Sequence, residues 1–296
     1  MLTSIRKITL WIILLIFGIV TVQAQENKTI YVEKYGQGPA AILLPGLMSS
    51  GDLFDGMLSY LSEYYECHVV TFAGYAGKPA ITADRYLPEF QKAVEEYIDE
   101  KNLGDVTLLG HSLGGFLSLK IASEKNVGVR EVIVLDALPF LAGTMNPNAP
   151  EGFNEARAKM YLNSTKGQDE ESMREMRLMS LQSMIDSDEH REEIVKWAIN
   201  SDLKTEAWTA MEMMGTDLRD DISSIEAPVL VLAAYGGKNP AMPSITRESV
   251  WDTYSEQYRE LRNLTLKVAE KAKHFIMYDD PEWVKKEIMA FIDRSS

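Results

Sequence analysis

Seven short apolar runs, rich in β-branched residues, limit this chain to one kind of sheet. They fall at 27–33, 40–44, 67–72, 106–109, 131–135, 229–233 and 265–268. Most are separated by segments with helical character. Leu87, Phe90, Val94, Tyr97 and Ile98 share one helical face, 52–65 and 113–125 read as helices, and Val284, Ile288, Phe291 and Ile292 mark a closing helix that starts at Pro281. Helices between successive strands give βαβ units, and βαβ units give a parallel sheet covered on both faces. The first two runs are joined instead by the turn Gly36-Gln37-Gly38. One region breaks the rhythm. Between Leu135 and Val229 no strand candidate occurs, the composition is helical, and nine of the chain's 15 methionines lie there. It reads as a helical cap, about 140–226, inserted over the sheet.

Composition narrows the function. The 296 residues are 46% hydrophobic and 25% charged, as in ordinary globular proteins. A net charge of −14 offers little to neutralise phosphates, so neither nucleic acid nor an anionic membrane surface is expected as a partner. Cys67 is the single cysteine, so no internal disulfide forms. Arg6 and Lys7 precede an apolar stretch at 8–22, and Val22-Gln23-Ala24 is a small-x-small site. This is the pattern of a secretory signal peptide cleaved after Ala24, leaving a mature chain of 25–296 in the periplasm or secreted. The apolar stretch is shorter than the roughly 20 residues of a membrane span. An uncleaved anchor is the alternative, but with no cysteine at the cleavage point a lipid anchor is not expected.

The chemistry centres on Gly110-His111-Ser112-Leu113-Gly114. This G-x-S-x-G follows a buried strand and precedes a helix, the context in which a sharp turn pushes a serine out as a nucleophile. Glycine flanks the turn because a side chain there would clash. Of four histidines, His68 lies inside an apolar strand and His111 inside the turn itself. His190 belongs to the charged run at 186–193, which reads as a solvated helix face rather than a metal site. His274 remains, in a loop after the last strand, as general base.

These features together resemble the α/β-hydrolase family, from about Lys28 to the C-terminus, with His274-Phe275-Ile276-Met277-Tyr278-Asp279-Asp280-Pro281 as a second signature. The resemblance implies an α/β fold with an eight-stranded, mostly parallel sheet, helices on both faces and a cap after strand six. It implies the chain order Ser, acid, His. Leu43-Leu44-Pro45-Gly46-Leu47-Met48 resembles the family's oxyanion loop, with Pro45 where a histidine is usual, so the oxyanion donors would be the backbone N–H groups of Leu47 and Leu113. The family's usual acid position falls on Gly237, which is empty of a carboxylate. Asp136, at the end of the sixth strand, is the expected acid. Asp217, Asp220 and Asp221 are fallbacks, and a dyad without an acid is the last option. Met48, Tyr75, Phe116, Phe140 and Tyr235 are expected around the substrate. The reading is a serine hydrolase of small or medium apolar esters, with no cofactor and no metal. Amide, lactone or C–C bond cleavage in the same fold, and a hydrolase-like binding protein, remain as alternatives.

Overall fold

The computed structural model describes residues 25–26, 29–237 and 245–295; the expected signal segment lies outside them. Eight strands form one sheet: β1 (Gln25–Glu26), β2 (Ile30–Tyr35), β3 (Ala40–Leu44), β4 (Glu66–Phe72), β5 (Val106–His111), β6 (Val129–Leu135), β7 (Val229–Ala233) and β8 (Leu264–Val268). Their order is β1-β2-β4-β3-β5-β6-β7-β8. β1 and β2 pair antiparallel, β2 pairs antiparallel with β4, and every other pair is parallel. The mostly parallel α/β-hydrolase sheet is therefore present, with a two-residue edge strand as its eighth member.

The helices are α1 (Asp55–Leu61), α2 (Leu87–Glu100), α3 (Leu113–Glu124), α4 (Glu155–Thr165), α5 (Glu170–Leu181), α6 (Asp188–Ile199), α7 (Leu203–Met214), α8 (Arg247–Gln257), α9 (Ile276–Asp279) and α10 (Pro281–Ser295). Strand side chains alternate between two cores. Ile42, Leu44, Val132 and Val134 face α2 and α3, where Phe90, Val94, Leu117 and Ile121 are buried. Leu43, Ile133 and Leu135 face α1 and α10, with Leu58, Val284, Ile288 and Phe291. Period two in a strand therefore fills both faces with apolar side chains, which is why the strands read as continuous apolar runs rather than alternating ones.

Several elements differ from expectation, among them the first strand, expected at 27–33 and found at Ile30–Tyr35. The helix expected over 52–65 is a 3₁₀ turn, Gly51–Phe54, followed by the short α1. The strand before the elbow continues through His111. α8 was not legible at all: Val250, Trp251 and Tyr254 are its only large apolar residues, too few to set a period. Among the described residues no helix is long and apolar enough to cross a membrane.

Helices α4–α7 all lie between β6 and β7 and form the cap. Glu212 of α7 ties it down. Its buried carboxylate accepts from the backbone N–H groups of Tyr86 and Leu87 (3.0 and 2.6 Å) and from Nε of Arg85 (2.8 Å), closing the N-terminus of α2. Those first-turn N–H groups have no partner within the helix. Glu212→Ala is expected to destabilise the protein by about 2–4 kcal/mol, because buried donors are left unsatisfied. Urea unfolding measures this, and a loss below about 0.5 kcal/mol would contradict it.

Candidate active site

Ser112 sits in the turn between β5 and α3 at φ 53° and ψ −116°. A non-glycine residue at positive φ is strained unless its surroundings enforce it. Here they do. A Cβ on Gly110 would lie 2.2 Å from the carbonyl of Gly114, and one on Gly114 would lie 1.8 Å from the Leu44 oxygen. Only glycine lets β3, β5 and α3 approach this closely. Ser112 N–H donates to the Leu135 carbonyl at 3.0 Å, which pins the turn to the neighbouring strand. α3 begins at Leu113, so the N–H groups of its first turn have no intrahelical acceptor and favour negative charge beside Ser112.

His274 follows β8 and is joined to Asp136, the residue after β6. Nδ1 of His274 donates to Oδ2 of Asp136 at 2.6 Å. The other carboxylate oxygen accepts from the Ala234 N–H and from the Tyr254 hydroxyl, both at 2.7 Å. Burial alone would raise the Asp136 pKa. The bond from His274, its charge interaction and the two further donors outweigh burial and hold the carboxyl below its usual range. Asp136 is thus ionised and saturated with donors. With Nδ1 of His274 occupied, Nε2 is the nitrogen left for a reacting hydroxyl.

Two adjoining cavities meet at these residues. One, of about 150 Å³, is lined by Leu47, Met48, Arg177, Leu181, Ile194 and Phe275. The other, of about 310 Å³, is lined by Phe116, Ala137, Leu138, Leu141 and Tyr254. Ser112, His274, Met184 and Met213 line both. The junction is therefore made by Ser112 and His274 on the sheet side and by two methionines on the cap side. Of the nine cap methionines, these two face the site; Met145, Met160 and Met179 are exposed.

Met48 and Phe116 lie where expected, whereas Tyr75, Phe140 and Tyr235 line neither cavity. Tyr75 is fully buried among Phe72 and Phe90, Phe140 lies under the Arg219 guanidinium at 4.8 Å, and Tyr235 packs against the main core. A place near a strand end fixes where a residue is, not which way its side chain turns. Asp217 is engaged by Arg219 at 2.9 Å and borders a separate polar depression with Asp220. Asp221 opens the 3₁₀ turn Asp221–Ser224, so no fallback acid lines a Ser112 cavity. Gly237 adopts φ 74°, and a Cβ built there would meet no atom within 4 Å.

Residues 41–287 match the alpha/beta hydrolase family. The chain belongs to that family. Among characterised relatives, it is 26% identical over 279 residues to a pimeloyl-[acyl-carrier protein] methyl ester esterase of Aeromonas hydrophila, covering 89% of this chain and 99% of that one. It is 26% identical over 118 residues to an (E)-2-((N-methylformamido)methylene)succinate hydrolase of Acinetobacter baylyi, a match that spans 45% of that protein. An esterase from Exiguobacterium antarcticum shares the fold with a TM-score of 0.72 at 20% identity, over 92% of this chain and 98% of that one.

Several site residues escaped the sequence, Tyr254 and Arg177 among them. Tyr254 comes from α8, whose weak apolar pattern hid it, although its start carries a capping box from Thr246 and Ser249 that could have marked the helix. Arg177 lines the smaller cavity while its guanidinium is held by Glu206 at 2.7 and 2.6 Å. Such a pair presents little net charge to the cavity.

The buried histidines set an acid limit on stability. Burial lowers His68 to about 4, and burial together with the neighbouring His274 lowers His111 to about 3. Below the ordinary histidine pKa of about 6.5 the unfolded chain takes up protons that the folded chain refuses, so stability falls as pH drops from there toward the folded values. Each site contributes a slope of up to about 1.4 kcal/mol per pH unit. Urea midpoints are therefore expected to fall markedly between pH 6.5 and pH 5, by roughly 3 kcal/mol in stability. Equal stability at both pH values would contradict neutral burial of the two rings.

Proposed function

We propose that the protein is an exported serine hydrolase that cleaves small or medium apolar carboxylic esters. The observation that carries the reading is the Asp136–His274 bond beside the cavities that Ser112 also lines. In this scheme Ser112 Oγ attacks the ester carbonyl carbon while His274 Nε2 takes its proton. Negative charge forming on the carbonyl oxygen is met by the N–H groups of Leu47 and Leu113. The tetrahedral intermediate collapses, the alkoxide leaves with the proton from His274, and an acyl-Ser112 remains. Water, deprotonated by the same imidazole, attacks the acyl group and releases the acid. Asp136 fixes the tautomer and stabilises the imidazolium throughout.

The apolar walls, built from Leu47, Met48, Phe116, Leu138, Leu181 and Ile194, favour hydrocarbon on both sides of the ester. The esterase relative supports an ester bond over an amide. Export rests on the N-terminal pattern: positive charge, an apolar stretch and Ala24. The deciding experiment is a panel of aryl and alkyl esters of graded chain length, beside matched amides and lactones, with fractionation of cells expressing the full chain. Ester turnover well above amide turnover, with the protein outside the cytoplasm and beginning at Gln25, supports the proposal. Preferential amide or lactone turnover would overturn the bond assignment, and a cytoplasmic chain beginning at Met1 would overturn export.

A further inference from the structure

His111 occupies the variable position of the elbow, next to Ser112, and its ring does not idle in the core. It is 1% exposed. Its Nε2 lies 3.0 Å from the backbone carbonyl oxygen of His274. A carbonyl only accepts, so Nε2 carries the proton and donates. The ring lies against that of His274, with centroids 4.6 Å apart, and against that of Phe275 at 4.9 Å. On its other side is the loop after β3: a Cβ on Gly46 would stand 2.9 Å from Nδ1. That Nδ1 has no hydrogen-bond partner. One imidazole therefore touches the loop that carries Leu47 and the loop that carries His274, and it is itself rooted one residue from Ser112.

We propose that His111 is a positioning residue that spaces the oxyanion loop from the histidine loop and fixes the main chain of His274 relative to Ser112. The inference rests on the reading of His274 as the base. His274 is then held at two points. Asp136 holds the ring through Nδ1, and His111 holds the backbone through its carbonyl. Without the second anchor the ring can still bond Asp136, but it pivots about that bond and Nε2 drifts from Ser112. A buried neutral ring suits the post, because a second positive charge beside His274 would oppose the imidazolium formed during acyl transfer.

The test compares His111→Phe, which keeps a ring and loses the donor, with His111→Gln, whose amide N–H reaches nearly as far as Nε2. His111→Phe is expected to lower kcat by about 10–100-fold with KM little changed, since a displacement near 1 Å costs about that much. His111→Gln is expected to recover most of that loss, to within about 3-fold of wild type. Should His111→Phe not fold, His111→Asn, too short to reach the His274 carbonyl, takes its place. A second readout needs no turnover: the downfield proton resonance of the His274 Nδ1–H, assigned by its disappearance in His274→Ala, is expected to broaden in His111→Phe and persist in His111→Gln. The proposal is overturned if the Phe and Gln variants fall equally, or if the resonance is unchanged in His111→Phe. If wild type turns over no ester while the resonance responds as expected, the coupling stands and the hydrolase reading fails.

Discussion

Ser112→Ala is expected to lower kcat/KM for the best ester by about 10⁵–10⁶ with the fold intact. Alanine cannot form the acyl-enzyme, so the two-step route is closed. The backbone loses nothing by the change, because the strained φ of 53° is enforced by the contacts of Gly110 and Gly114 and by the Ser112 N–H bond to Leu135. What remains in the proposed scheme is binding and the N–H groups of Leu47 and Leu113; binding and an oxyanion hole alone support a residual rate of about 10³–10⁴ over water in characterised serine hydrolases. Steady-state kinetics with a thermal melt on the same preparation checks both halves. A variant that keeps more than a few per cent of the wild-type rate would remove Ser112 as the nucleophile.

Asp136→Asn is expected to lower kcat by about 10³–10⁴, and the reason is a tautomer. The Oδ1 atom of Asp136 accepts from Ala234 N–H and the Tyr254 hydroxyl. An asparagine keeps its carbonyl oxygen there, because an amide NH₂ facing two donors would leave all of them unsatisfied. Its NH₂ then points at Nδ1 of His274. Nδ1 must become the acceptor, the ring proton moves to Nε2, and Nε2 can no longer take a proton from Ser112. The fold should be nearly unaffected, since shape and the two Oδ1 bonds are preserved. A rate within a few-fold of wild type would mean that Asp136 only braces the segment after β6 against Ala234 and Tyr254, and that the pair Ser112–His274 works without an acid.

The sheet was legible because parallel strands buried on both faces announce themselves as unbroken apolar runs such as 131–135 and 229–233. The elbow was legible for a different reason: its glycines are imposed by contacts as short as 1.8 Å, which no other residue survives. Asp136 was reached by an inference from place, a carboxylate at a strand's carboxyl end, and its carboxylate lies 2.6 Å from Nδ1 of His274. The pocket was largely illegible. Tyr75, Phe140 and Tyr235 stand near strand ends, but their side chains turn into the core or onto neighbouring elements. Several residues that shape the cavities, Met184, Met213 and Arg177 among them, come from the cap, where helical sequence fixes no direction until the helices dock. Tyr254 was hidden because α8 is held by a few contacts and a capping box rather than by an apolar stripe.

An activated Ser112 is the requirement on which the proposed chemistry rests. Intact mass after exposure to a fluorophosphonate, for residues 25–296 of wild type and of Ser112→Ala, measures this directly. One phosphonate adduct is expected on wild type and none on the variant. A folded wild type that gains no adduct, or a variant that gains one, would contradict the proposed chemistry.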